Sequence, residues 1–430
     1  MEDRISKLPD EILAHILSFL RSSTDAVRSS VLSRQWRYIW LKLQKFQICD
    51  SYYYGKTYST EVFMNSFVNF MNRVLINNVK YLSLRLTQNY SSSDIESWLC
   101  SVMTRNLEEI HLEGSVIRFP AKYSKSVCLT GLKSLYLEYL TNLSDFNVQM
   151  LLSNCPILEV LVIDRGWSDD FEILNVNSSS LKKFRYFDPY QKSSKVVINA
   201  PNLDNLSIHV DRKLNIEVKT PCSIAKARFV VSSCVGISRA DMDPTVQLLR
   251  KTSNISCLSA SCHIPKLLRD SSLHNLPSFT RLTRLIVSNC GDERSYLPAM
   301  LTMTPNLKFI RFYQNKRCNC YMTYAQELEP EQNVAKCLKS SLESVEFRGL
   351  QNVGEDMEIV AYLLKYAKLL NTFAITCYRD ESEILRKVLM FPRASITCLI
   401  SVVPEIHMWL NTRLSDPSEP ANQLVIKECA

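Results

Sequence analysis

Apolar residues recur along the chain in blocks of L-x-x-L-x-L type, with other apolar side chains substituting for leucine. Blocks start at Val79 (Val79, Leu82, Leu84), Leu107 (Ile110, Leu112), Leu132 (Leu135, Leu137), Leu158 (Leu161, Ile163), Leu181 (Phe184, Tyr186) and Leu203 (Leu206, Ile208). Weaker ones start at Ile224 (Ala227, Phe229) and Ile255 (Leu258, Ala260), and stronger ones return at Leu282, Leu307, Leu342 and Leu370. Apolar–x–apolar alternation predicts a short strand with one buried face. The twelve starts run from 79 to 370 in eleven steps, a mean of about 26 residues. Pro156, Pro201 and Pro305 each stand two residues before a start, where proline ends a preceding helix. Helical periodicity falls between blocks, over Ser93–Asn106 and Ser144–Asn154, and Thr60–Ile76 predicts a helix capping the first block. The pattern predicts an α/β solenoid, with parallel strands on a concave face and helices on the convex face.

The mean spacing lies in the range of roughly 20–29 residues of a leucine-rich repeat. The Asn or Cys that commonly follows such a strand appears only as Cys290 and Asn315, so an irregular solenoid is expected. Ahead of the repeats, Leu8 to Leu20 predicts a short helix, with Pro9 in its first turn and Asp10 and Glu11 at its positive end. Ile12, Ile16 and Leu20 form one stripe. Ser23-Thr-Asp25 starts a second helix through Val27 and Val31, and Ser33 a third carrying Trp36, Ile39 and Trp40. Three short helices offer more apolar surface than one small core hides, which points to a partner.

Asp3-Arg-Ile-Ser-Lys-Leu-Pro-Asp-Glu-Ile-Leu13 and Asp25-Ala-Val-Arg-Ser-Ser-Val-Leu-Ser-Arg-Gln-Trp-Arg-Tyr-Ile-Trp40 resemble a plant F-box. One departure is Arg21-Ser-Ser, where relatives have a Pro-Thr-Lys type of turn. The resemblance implies docking on the Skp-type adaptor of a cullin-based SCF ubiquitin ligase, with cullin and RING subunits joined through that adaptor. Carried over, Leu8 and Pro9 would insert at the adaptor interface. Ile12, Ile16, Leu20, Val31, Trp36 and Trp40 would form the interface or the small core behind it. Farther on, Gly349, Glu355-Asp-Met-Glu358, Tyr362-Leu-Leu364 and Phe391-Pro-Arg-Ala-Ser395 resemble the FBD domain of plant F-box/LRR proteins. The expected domains are an F-box over 1–45, repeats with their cap over 46–339, an FBD over 340–412 and a tail over 413–430.

Composition narrows the chemistry. Only eight glycines stand in 430 residues, and no G-x-G-x-x-G turn is present. Gly349 and Gly354 have phosphate-loop spacing, but Glu355-Asp356 follows where Lys and Ser/Thr are required. The net charge of +8 is not gathered into a basic block, so no specific nucleic acid is expected. Fifteen cysteines without a secretory pattern read as reduced thiols, and no apolar run is long enough for a membrane span. Nucleus or cytoplasm is the expected location. Cys318-Asn-Cys320 and Cys257…Cys262-His263 lack paired zinc spacing, and Gly236-Ile-Ser238 lacks the second glycine of a nucleophile elbow. No catalytic residue, cofactor or metal site is expected.

The function expected from these readings is that of a non-catalytic substrate-recognition subunit of an SCF-type ligase, holding an unidentified target protein on the repeats. The alternatives are a small-molecule or polyanion-dependent receptor on the same scaffold, or an F-box protein with a non-proteolytic role. Strand positions between the buried leucines point away from the core. There Lys183, Arg185, Lys226, Arg228, Arg284 and Arg311 predict a basic strip for an acidic or phosphorylated segment or a polyanion.

Overall fold

The computed structural model describes residues 5, 7–20, 23–50, 69, 72–73, 79–103, 106–118, 129–167, 172–190, 194–211, 215–219, 223–232, 243–264, 277–289, 293–314, 334–350, 355–378 and 381–404. The expected cap over Thr60–Ile76, save residues 69, 72 and 73, lies outside the described residues, as do Cys290, Asn315, Cys318, Cys320 and the 413–430 tail. The chain divides into two compact units, Met1–Leu203 with Glu217–Cys222, and Asp204–Ile216 with Ser223–Ala430.

The first unit opens with helices α1 (Asp10–Ser18) and α2 (Ser23–Arg28) and two 3₁₀ turns, Ser29–Val31 and Trp36–Lys42. Strands β1 (Lys45–Cys49) and β2 (Tyr81–Arg85) follow, then α3 (Ser92–Met103), β3 (Glu109–Glu113) and β4 (Ser134–Glu138). After α4 (Asp145–Asn154) come β5 (Val160–Asp164), β6 (Ile173–Asn177), β7 (Lys183–Asp188) and β8 (Lys195–Asn199). Strands β1, β2, β3, β4, β5 and β7 pair in that order, all parallel. Register aligns the apolar pairs, so that Leu82, Ile110, Leu135, Leu161 and Phe184 form one buried row and Leu84, Leu112, Leu137, Ile163 and Tyr186 another. The second unit holds β9 (Asn205–Val210) and, after the three-residue β10 (Ile216–Val218), β11 (Lys226–Val231), α5 (Asp243–Lys251), β12 (Cys257–Ala260) and β13 (Arg284–Asn289). It continues with α6 (Glu293–Met303), β14 (Phe309–Gln314), α7 (Lys336–Ser340), β15 (Ser344–Leu350), α8 (Glu355–Tyr366), β16 (Thr372–Cys377), α9 (Glu381–Leu389) and β17 (Leu399–Pro404). Again β9 and β11 to β17 form consecutive parallel pairs. The fold class is the mixed α/β, parallel-strand repeat architecture read from the sequence. No helix among the described residues is long and apolar enough to cross a membrane.

Each of the twelve repeat starts leads into a strand, and β1 and β17 add one at either end. Consecutive coils are tied at one corner. The carbonyl of Lys80 accepts from the N–H groups of both Glu108 and Glu109, that of Glu108 from Lys133 and Ser134, and that of Lys133 from Glu159 and Val160. The same fork recurs in the second unit at Asp204, Ala225, Ser256, Thr283, Lys308 and Glu343. In the first unit the side chains at this corner alternate in charge: Lys80 lies 3.3 Å from Glu108, Lys133 2.9 Å from Glu108, and Lys182 2.7 Å from Glu159.

Strand ends that lack an Asn ladder are satisfied in other ways. Buried Asp50 accepts from the N–H of Thr87 at 2.7 Å and of Gln88 at 2.8 Å. Ser261 Oγ accepts from Val231 N–H at 3.0 Å, and Ser288 Oγ from Cys262 N–H at 2.8 Å. Where a return helix was expected after β5 and β7, β6 and β8 instead pair with each other as a second layer. Just past the end of β5 the Arg165 guanidinium is fully buried and donates to Asp188 at 2.9 Å, with Ser194 as a further partner. In the second unit the core is aromatic: Phe312 and Phe347 stack with ring centroids 4.7 Å apart, and Phe347 and Phe373 at 5.9 Å.

The segment resembling an FBD holds β15, α8, β16 and α9. It continues the repeat sheet, since β15 pairs in parallel with β14. Gly349 sits at φ +73° where β15 shifts register, and a Cβ there would stand 3.0 Å from the Tyr378 ring. In the Phe391–Ser395 motif, Ala394 N–H donates to the Leu364 carbonyl and buried Ser395 Oγ to the Leu370 carbonyl, tying the end of α8 to the entry of β17.

Candidate functional site

The helical start of the chain separates a closed core from an open apolar surface. Leu13, Ala14, Leu17, Ala26, Ile39 and Leu43 are buried together with Trp36 (6% exposed) and Trp40 (7%). Polar contacts close the module. Lys42 reaches Asp10 at 2.8 Å, Gln35 donates to the Leu8 carbonyl at 3.1 Å, and Trp40 Nε1 donates to the Arg37 carbonyl at 3.2 Å. The hydrogen bond from Lys42 holds the Asp10 carboxyl below its ordinary value. With its core complete, the module still leaves Ile5, Ile12, Ile16, Phe19, Leu20, Val31, Leu32 and Tyr38 exposed. Ile12 is 46% exposed and Val31 85%. Eight of the 19 exposed large apolar side chains among the described residues thus fall within residues 5–38, a density that marks an interaction surface.

The sequence-derived interface residues divide accordingly. Pro9, Ile12, Ile16, Leu20 and Val31 are exposed and Leu8 is half-buried. Trp36 and Trp40 are core residues; their indoles fill the space under α1 and offer little surface to a partner. Of the two places the resemblance left open to them, interface or the core behind it, the structure gives them the core.

The outward strand positions carry the second candidate surface, and here the expected basic strip needs correction. In the first unit Lys183 is exposed, but Arg185 is bound to buried Asp164 at 3.0 Å. In the second unit Lys226 is exposed and Arg228 half-exposed, whereas Arg311 is buried and held by Glu346 at 2.7 Å. Glu346 also takes Arg348 at 2.5 Å. Arg284 lies over the Phe309 ring at 4.3 Å from its centroid, and Arg311 over the same ring at 5.3 Å. β12 places uncharged Cys257 and Ser259 at these positions. Repeat spacing gave the sign of each residue but not the carboxylates that register sets beside it.

Sequence reasoning missed an acidic row in the first unit. Register places Arg85, Glu113, Glu138 and Asp164 side by side on β2, β3, β4 and β5. Arg85 Nε donates to Glu113 at 2.6 Å, and His111 Nε2 lies 3.3 Å from Glu138. Burial pushes the Asp164 carboxyl up to about 7 against the pull of Arg185. Burial also acts to raise Glu138, but the His111 ring and nearby arginines outweigh it and leave that carboxyl below its ordinary value. A signal was available: all four residues stand six places after their repeat starts at 79, 107, 132 and 158.

Comparison with known proteins agrees with this layout. Residues 5–42 match an F-box-like family model. Residues 69–229 match the repeats described as "FBD-associated F-box protein At5g56370, LRR repeats", and residues 329–375 match FBD. The chain is 27% identical to the putative F-box/FBD/LRR-repeat protein At2g05300 of Arabidopsis thaliana, covering 94% of this chain and 97% of that protein. It is 28% identical to the Arabidopsis FBD-associated F-box protein At5g22730, covering 93% and 94%. To the Arabidopsis F-box/LRR-repeat protein 13 it is 25% identical, covering 93% and 96%. With matches to an F-box-like module, leucine-rich repeats and an FBD in that order, and this likeness along most of its length, the chain is similar to the plant F-box/FBD/LRR-repeat proteins.

Proposed function

We propose that this F-box protein is the substrate-receptor subunit of an SCF-type ubiquitin ligase. Residues 1–45 would dock on a Skp-type adaptor, and through it on cullin and RING subunits. Residues 46–339 and the FBD segment 340–412 would carry the target-binding face, in the nucleus or cytoplasm. The chain would act without catalysis of its own, by raising the target's effective concentration near the ubiquitin-charged enzyme. One observation carries the reading: the apolar surface of Ile12, Ile16, Leu20 and Val31 stays exposed on a module whose Trp36 and Trp40 core is already closed. Each such side chain stabilises an interface by about 1.5–3 kcal/mol when fully buried.

The test is co-expression with a Skp-type adaptor and measurement of the 1:1 complex. Wild type should co-purify with it. A Leu8→Ala/Pro9→Ala variant and a Val31→Asp variant should lose it by tenfold or more while keeping their circular dichroism. A folded wild-type chain that ignores the adaptor would refute the reading. On the target side, an acidic segment is favoured by the second unit. Its outward strand positions hold Lys226, Arg228, Arg284, Arg311 and Arg348 against Glu346 alone among the described residues.

A further inference from the structure

We propose that His111, Glu113 and Glu138 form a binding site for one divalent transition-metal ion of the zinc class. Glu113 and Glu138 are direct partners across β3 and β4, and Asp164 follows beside Glu138 on β5. Neighbouring strands stand about 4.8 Å apart, so three carboxylates lie abreast on one face. Like charges directly opposite each other on a sheet are destabilising unless a cation joins them. The two ends of the row have one: Arg85 binds Glu113 at 2.6 Å, and Arg185 binds Asp164 at 3.0 Å. The central Glu138 has instead the His111 ring at 3.3 Å.

Two polar atoms at this spot have bonding capacity left unfilled. His111 Nε2 is shut off from solvent and, though 3.3 Å from a Glu138 oxygen, makes no well-aligned hydrogen bond. Asp164, only 3% exposed, keeps Oδ1 equally without one. One ligand atom each from His111, Glu113 and Glu138 lies within 4.8 Å of the other two. Among the described residues this is the one place where three such groups gather. A zinc ion bound at about 2.0–2.2 Å from each atom needs only modest side-chain rotation to draw them in. One imidazole nitrogen with two carboxylate oxygens suits zinc better than calcium, which takes oxygen throughout. The site joins two strands rather than one segment, which is why no metal spacing shows in the sequence. Occupied, it would tie β3 to β4 through their side chains and cancel the surplus negative charge of this face.

The experiment is titration of the chelator-treated full chain with Zn(II) alone by calorimetry, and with Co(II) as a spectroscopic reporter. The expected result is one ion per chain, with a Co(II) spectrum of nitrogen and oxygen ligation and no sulfur charge-transfer band. His111→Gln and Glu138→Gln should each weaken binding at least tenfold. Glu109→Gln, on the same strand but outside the site, should bind as wild type. Metal should raise the melting temperature of wild type and of Glu109→Gln but not of the other two. No binding, binding equally strong in all variants, or a thiolate spectrum would each overturn the proposal; the last two would assign the ion to cysteines or other surface groups.

Discussion

On strands β2 to β7 of the first unit, the outward positions hold Glu109, Glu113, Glu138 and Asp164 against Arg85, Lys183 and Arg185. In the second unit they hold five basic side chains against Glu346. Both units use the same strand, the same fork of hydrogen bonds at the corner and the same apolar alternation. What differs is the filling. The first unit buries an ion pair, Arg165 with Asp188, and the second buries a stack of three phenyl rings. One backbone frame therefore tolerates opposite charge outside and different chemistry inside, because its register is set by neither.

The largest effects should come from breaking each filling. In the first unit Asp188→Ala strands the buried Arg165 guanidinium, and removing one partner of a buried pair costs about 3–5 kcal/mol. Adding Arg165→Met should recover most of that loss, because the penalty lies in the stranded charge. In the second unit Phe347→Ala removes the middle ring of the stack, at about 3–5 kcal/mol, and no second apolar-to-polar change should recover it. Chemical denaturation of the three variants measures both.

A smaller effect tests the corner. Glu108→Lys sets three lysines in a row in the first unit. It should cost less than about 1 kcal/mol, fading as salt is added. Ser256→Lys, at the same corner of the second unit between Ala225 and Thr283, should cost nothing measurable at either ionic strength.

The least perturbing test is chemical. Burial pushes the Cys155 thiol up to about 12 in the first unit and the Cys337 thiol up to about 11 in the second. Neither should be alkylated near neutral pH in the native chain, since only thiolate reacts. Exposed Cys100 should label before either of them, as peptide mass analysis would show.

Much of this frame was legible because period-two alternation inside a repeat of near-constant length leaves few alternatives. β1 obeys the same rule through Leu43, Phe46 and Ile48, yet it adjoins the last 3₁₀ turn closely and was not counted among the twelve blocks. The second strand layer was missed for a physical reason. Strands starting at 160, 183, 205 and 226 come only 21–23 residues apart. Coils that short return through a five-residue strand such as β6 or β8. The longer interval from β13 to β14 accommodates the eleven residues of α6. At the candidate sites, residue types and exposed stripes could be read, but partners could not. Arg185 and Arg311 look alike in sequence to Lys226. Only register reveals Asp164 beside one and Glu346 beside another.

The forked carbonyl at each corner has a bearing on how such chains diversify. It binds the coils like pages along one spine, whatever the width of the page. Intervals between paired strands range from 21 residues, β9 to β11, to 36, β1 to β2, without loss of the fork at Asp204 or Gln44. Length can therefore be added or removed at the free margin of a coil while the binding edge keeps count. A lineage can revise what it recognises, one page at a time, without reprinting the book.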